Sequence, residues 1–377
     1  MAIPRATSRF LFLWIPLVGL LLACQGAQGP AGVEVAAILP LTSGVAEAAL
    51  SAQRGAALAV EEVNAEGRIR IELRISDDHG SFERAGALFA EAAASPRIAA
   101  VIGGFTDTVA IALSPAAIRA QVPLISPGAT GEIPFAGNFF FRTALPAALQ
   151  GRALAAFARR SGLRRVAVLH DTTEYGSSVA NSFVEAFLGP GGGSVTGQRR
   201  FQDGTRDFRP FLQAIRSENA QAVLFAGYPD EGRVFLAQVV ETGPKLPVLS
   251  PDAFANPEVV TALGKNAEGL VVASAFFPES TIPAVRSFVR AYREKYGVNP
   301  DAFAAQAYDA VKVLAFALKQ VRIPPTGPLD RSRVRDALAH VRDYPGVTGT
   351  LRFDQSGNAA REAMVLRVEG SRFMVVP

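Results

Sequence analysis

Two kinds of segment alternate along most of this chain. Short runs of continuous apolar residues are followed by longer stretches whose apolar positions recur every three to four residues. The first kind reads as buried strand and the second as amphipathic helix. Strands are predicted at 33–39 (VEVAAIL), 69–76, 98–103 and 123–126, with helices at 46–64, 81–94 and 108–119 between them. A second run repeats the scheme, with strands at 165–170, 197–201, 222–226, 247–250 and 271–275 and helices at 175–188, 208–217 and 231–241. Such alternation predicts βαβ units on parallel sheets, hence an α/β fold with two doubly wound lobes. Beyond 275 the pattern turns helical (282–296, 303–320, 331–341). It ends in alternating segments at 350–353, 363–368 and 372–376 that read as a hairpin-like tail.

The two lobes share a detail. PLISP at 123–127 and PVLSP at 247–251 both end an apolar strand on Ser-Pro. Proline removes a ladder donor, so each strand must stop there. In a doubly wound lobe ligands bind beyond the carboxyl ends of the strands. Two such lobes facing each other would make 126–130 and 250–254 opposite walls of one cleft.

Composition narrows the class. The chain has 377 residues, 49% hydrophobic, enough for two packed cores. The formal charge is +4 and the basic residues are scattered, so no nucleic-acid footprint is visible. Arg5 and Arg9 precede an uncharged apolar run at 11–23. That run is too short for a comfortable membrane span but suits a signal peptide over 1–23. It ends at Leu21-Leu22-Ala23-Cys24, and Cys24 is the single cysteine. The tetrapeptide resembles the lipobox of bacterial lipoproteins, in which the cysteine is lipidated; an ordinary signal peptide with an incidental cysteine is the alternative. A glycine-rich tether, 24–32, would follow. The histidines, His79, His170 and His340, fit no common metal spacing, and no metal or cofactor is expected. His170 is read as a packing or hinge-side residue, not a base. There is no G-x-S-x-G elbow, no P-loop and, with Cys24 acylated, no free thiol, so no enzyme is expected.

Several stretches together resemble the leucine/isoleucine/valine-binding protein family, the type I periplasmic solute-binding proteins of branched-chain amino acid ABC transporters. They are GAALAVEEVNA at 55–65, Asp77-Asp78, Val101-Ile102-Gly103, LISPGAT at 124–130, His170-Asp171 with Tyr175-Gly176, Gly227-Tyr228, AEGL at 267–270 and AYDA at 307–310. The resemblance covers about 33–376. It implies two Rossmann-like lobes joined by three hinge strands and closing on a small ligand. Lobe 1 would comprise 33–146 plus 276–347, and lobe 2 147–275 plus 348–377.

The resemblance also implies ligand-binding residues. Thr130, with Ser126 and Ala129 in the same turn, lies where the family holds a ligand carboxylate by hydroxyl and amide. Tyr175 and Tyr228 would face the ligand from lobe 2. Asp252 would pair with its ammonium, or else cap the helix that follows. Two positions depart from the family. Asp107 stands near a position where the family often has a carboxylate-binding serine. Either Asp107 caps the next helix and leaves Thr106 or Thr108 as the hydroxyl donor, or it reads a positive or donor-rich group. Ala48 occupies a loop in which some amino-acid-binding relatives carry a tryptophan.

The function implied is an extracytoplasmic, lipid-anchored binding protein that hands a small amino-acid-like solute, branched-chain or aliphatic by family default, to an ABC permease. A sensor of the same fold, or a receptor for an amide, urea-like compound or aromatic acid, is the alternative.

Overall fold

The computed structural model describes residues 1–2, 32–134, 138–243 and 246–376. The expected apolar signal core and Cys24 lie outside the described residues. Among those described, no helix is long and apolar enough to cross a membrane.

The first lobe opens with β1 (Gly32–Leu39), α1 (Ala46–Ala65), β2 (Arg70–Asp77), α2 (Phe82–Ala94), β3 (Ile98–Ile102), α3 (Asp107–Ala120), β4 (Leu124–Ser126) and β5 (Phe140–Arg142). Its sheet runs β2-β1-β3-β4-β5, every pairing parallel. All five residues of β3 are buried, as expected of a parallel strand covered on both faces.

The second lobe follows with α4 (Ala147–Arg160), β6 (Arg165–Asp171), α5 (Glu174–Leu188), β7 (Ser194–Phe201), α6 (Arg209–Ser217), β8 (Ala222–Ala226), α7 (Pro229–Glu241), β9 (Val248–Ser250), α8 (Pro257–Leu263) and β10 (Val271–Ser274). The chain then returns to the first lobe with α9 (Pro283–Tyr296), α10 (Ala302–Leu318), α11 (Arg331–Ala339) and a small hairpin, β11 (Tyr344–Gly346) and β12 (Gly349–Leu351). It finishes on the second sheet with β13 (Met364–Glu369) and β14 (Arg372–Val376), giving the order β14-β13-β10-β9-β8-β6-β7. In this sheet only β13 runs against the others, pairing antiparallel with both β10 and β14.

Four elements, α4, β5, α8 and β11, do not stand out in the sequence pattern. The expected strand at 350–353 pairs with β11 and not with the terminal segments, because Gly349 permits a tight return onto Tyr344–Gly346. The strand expected at 197–201 begins earlier, at Ser194, since β6 offers a paired edge back to Arg165.

Helix α10 is apolar nearly all round and buried along almost its whole length, against α1 and the first sheet. Gly55 explains how α1 comes so near: a Cβ there would sit 2.0 Å from the carbonyl oxygen of Ala304. Leu351, Phe353 and Ala359 also pack in this first-lobe core. Both sheets reverse strand order next to their first strand, at β1/β3 and at β6/β8. Those switch points open a crevice at the carboxyl ends of the strands, and in the two lobes the crevices face each other.

Candidate functional site

The cavity between the lobes is walled on one side by Phe105, Thr106, Asp107, Gly128 and Thr130, and on the other by Tyr175, Tyr228, Asp252 and Ala253. The strand-ending prolines put both walls in place. After β4 the chain turns through Pro127 and Gly128; after β9 it turns through Pro251 into a single 3-10 turn, Asp252–Phe254.

On the first wall the cap of α3 is Thr106, whose Oγ1 accepts the Val109 N–H at 3.5 Å. Asp107 is therefore not the cap. Its carboxylate folds back beneath the 128–131 loop instead. There Oδ1 accepts the backbone N–H groups of Thr130 at 2.7 Å and Gly131 at 2.9 Å. The fit requires glycine at 131, where a Cβ would meet Asp107 Oδ2 at 2.9 Å. So the Thr130 amide, expected by resemblance to face a ligand carboxylate, is taken by a carboxylate of the chain itself.

Arg142 supports this loop from behind. Its guanidinium donates to the carbonyl oxygens of Gly131 (2.6 Å) and Ala129 (3.3 Å), and to Asn358 Oδ1 (2.8 and 2.6 Å). Burial raises the Asp107 carboxyl above its ordinary range, while the two amides and nearby Arg142 oppose the rise.

On the second wall Asp252 is 1% exposed. Its Oδ1 accepts the Tyr175 hydroxyl at 2.9 Å, and its N–H donates to Gln150 Oε1 at 3.0 Å. Its Oδ2 is buried with no partner among the described residues, and the same holds for Thr130 Oγ1. Burial pushes the Asp252 carboxyl up to about 7, with the Tyr175 hydrogen bond pulling the other way. Asp252 does not cap the helix that follows; Asn256 caps α8, accepting the Glu258 N–H at 2.7 Å. The rings of Tyr175 and Tyr228 stack with centroids 5.2 Å apart at 28°.

The end of the cavity nearest α1 is apolar. Val45, Ala48, Phe105, Val259 and Phe303 line it, and the Phe105 and Phe303 rings lie 5.5 Å apart. At the rim, Arg233 of α7 pairs with Glu47 of α1 at 3.2 Å and with Asp230 at 3.0 Å. Asn256 reaches from the second lobe to Asp301 Oδ2 at 3.1 Å, so the lobes touch across the opening.

Of the residues singled out in the sequence, Thr106, Asp107, Thr130, Tyr175, Tyr228 and Asp252 meet in this cavity, as does Ala48. Three do not line it. Ser126 is fully buried, donating to the Gly104 carbonyl (2.7 Å) and accepting the Ala129 N–H (3.0 Å), so its hydroxyl shapes the turn. Ala129 packs in the apolar layer under α3, and Thr108 points to solvent from the first turn of α3. His170 is buried away from the cavity, its Nδ1 donating to the Asp171 carbonyl at 2.7 Å. Sequence reasoning missed Asn256, Glu47 and Phe303 on the cavity wall, and Gln150 and Arg142 behind it. Only Asn256, an Asn two residues before a Glu at a Pro-led helix start, carried a readable cap signal.

A profile of the periplasmic binding protein family matches residues 32–372. This chain belongs to that family. It is 28% identical over 334 residues to the Leu/Ile/Val-binding protein homolog 3 of Brucella melitensis, covering 87% of this chain and 89% of the relative. It is 26% identical over 332 residues to the leucine-, isoleucine-, valine-, threonine- and alanine-binding protein of Pseudomonas aeruginosa, covering 86% and 87%. Among solved structures it is similar to a branched-chain amino acid transporter substrate-binding protein from Streptococcus pneumoniae in complex with isoleucine. That match has a TM-score of 0.82 at 26% identity over 92% of this chain and 99% of the other. The fold is that of the type I periplasmic binding proteins, and the relatives are solute-binding proteins, not enzymes.

Proposed function

We propose that this chain is the extracytoplasmic, lipid-anchored receptor of an ABC importer, Cys24 carrying the lipid, and that it captures a small amine-bearing solute between its lobes. In this reading lobe 1 comprises 33–146 plus 276–347 and lobe 2 147–275 plus 348–377, with Leu351, Phe353 and Ala359 of the last stretch assigned to lobe 1 because they pack in its core. The solute would span the cavity, its apolar body against Phe105 and Phe303 and its amine at Asp252. Ligand bridging of both walls favours the closed arrangement, because contacts to the second wall exist only when the lobes meet. The closed surface would then be what a permease recognises.

The observation that carries this reading is Asp252: a buried carboxylate on the cavity wall, oriented by Tyr175 and Gln150, with one oxygen unpartnered. A buried carboxylate without a cation is costly, and an ammonium would complete it. The relatives are named for branched-chain amino acids, one of them for threonine and alanine as well. Calorimetric titration of the purified protein with aliphatic amino acids, their amides and the matching amines tests the proposal. At least one amine-bearing solute should bind, and Asp252→Ala should weaken it. No binding by any of them would overturn it.

A further inference from the structure

We infer that the solute this cavity selects is a small organic cation without a carboxylate group, such as a primary amine or an amino-acid amide, in preference to a zwitterionic amino acid. This rests on the reading of the cavity as the solute site.

Three independent features point the same way. First, the paired N–H groups of Thr130 and Gly131 form the anion-accepting element of the first wall, and Asp107 already fills it. Two amides converging on one oxygen are a ready anion site. Here the anion is built into the chain, fastened by hydrogen bonds of 2.7 and 2.9 Å and locked by the close fit at Gly131. A solute carboxylate at this end would lie beside a fixed carboxylate of the same sign.

Second, every charged residue that lines the cavity is an acid. Glu47, Asp107, Asp230 and Asp252 line it, and no lysine, arginine or histidine does among the described residues. Arg233 offsets Glu47 and Asp230 at the rim, and Arg142 is held behind the loop by two carbonyls and Asn358. Neither guanidinium lines the cavity. Asp252 is left with no cation on the protein side.

Third, the unpartnered polar atoms of the two walls, Asp252 Oδ2 and Thr130 Oγ1, can accept hydrogen bonds, and both residues are more than nine-tenths buried. A carboxylate is an acceptor only. It could satisfy Thr130 by receiving from its hydroxyl, but it would do so next to Asp107. An amide NH2 or an ammonium would donate to such acceptors without that repulsion.

The test is a charge series on one hydrocarbon skeleton: leucine, leucinamide, 3-methylbutylamine and 4-methylpentanoate, titrated calorimetrically into the full-length protein. Leucinamide and 3-methylbutylamine should bind at least 10-fold more tightly than leucine, and 4-methylpentanoate should not bind. Asp107→Asn keeps an oxygen to accept the two amides but removes the charge, so it should shift the preference toward leucine. Asp107→Ser, which removes the carboxylate altogether, should do the same. Leucine binding more tightly than both carboxylate-free probes in the wild type would overturn this inference while leaving the proposed receptor function standing. An unchanged leucine-to-leucinamide ratio in both Asp107 variants would also overturn it. Silence toward every probe, in wild type and variants alike, would overturn both readings.

Discussion

The hydroxyl of Tyr175 donates to Asp252 Oδ1 at 2.9 Å and accepts the backbone N–H of Ala253 at 3.1 Å. One phenol oxygen thus fixes the orientation of the carboxylate and of the 3-10 turn that presents it. Tyr175→Phe removes both bonds and keeps the ring stacked on Tyr228. The N–H of Ala253 and one oxygen of Asp252 are then left buried without a partner, at a cost of about 1–3 kcal/mol. Urea denaturation of the ligand-free variant should show that loss; an unchanged midpoint would mean that water replaces the phenol.

Asp252→Ala tests the same carboxylate from the side of the solute. An amine-bearing solute loses one charge-assisted hydrogen bond, worth about 1.5–3 kcal/mol, or roughly 10-fold or more in affinity. The chain's only tryptophan is Trp14, within the expected signal segment, so the measurement calls for calorimetry or a dye-based thermal shift. Equal affinity in wild type and variant would remove Asp252 from the site.

Buried acids give the ligand-free protein a characteristic pH response. Burial pushes Asp252 up to about 7 and Asp301 up to about 6, from an ordinary 3.8. Between those values the folded chain holds protons that the unfolded chain releases. Stability from these groups is therefore greatest at and below about pH 4 and falls as pH rises, levelling off above about pH 7. Denaturation midpoints of wild type and Asp252→Asn, compared from pH 4 to 8, should converge at the acid end and diverge in favour of the variant toward pH 7. A cationic solute should reverse that divergence in the wild type, because it stabilises the ionised carboxylate. A difference curve independent of pH would show that Asp252 ionises normally.

Gly55 is a packing prediction far from the cavity. Its absent side chain admits the backbone of Ala304, and a methyl would lie 2.0 Å from that carbonyl oxygen. Gly55→Ala would gain helix propensity of about 1 kcal/mol in an open helix. Here the forced separation of α1 from α10 should outweigh it, for a net loss of about 1–3 kcal/mol. A stabilised variant in thermal unfolding would show that the two helices can part without strain.

The sequence made the layered α/β scheme legible because parallel strands buried on both faces read as apolar runs and their covering helices as periodic ones. The Ser-Pro endings located both cavity walls for the same local reason. Helix α4 escaped because Pro146, its first flanking residue, offers no side-chain cap, and its many alanines blur the periodic stripe. Strand β5 has only three residues. Thr106 and Asp107 are both cap formers, and adjacent positions cannot be ranked from composition. What separates them is the 128–131 loop folding back over Asp107, a contact between residues 23 and 24 positions apart. Ser126 looked like a wall hydroxyl because nothing local reveals that Gly104 and Ala129 already occupy it. Gln150 and Asn256 reach the site through tertiary structure alone.

Arg142 does more than prop a loop. The guanidinium that grips the carbonyls of Ala129 and Gly131 grips Asn358 as well, in the strandless segment by which the chain leaves β12 for β13. The first cavity wall and the segment between β12 and β13 are thus fastened to one rigid plane of nitrogen atoms. In the hinge closure proposed above, wall and segment would travel as one piece, so the path between the lobes starts from the cavity itself.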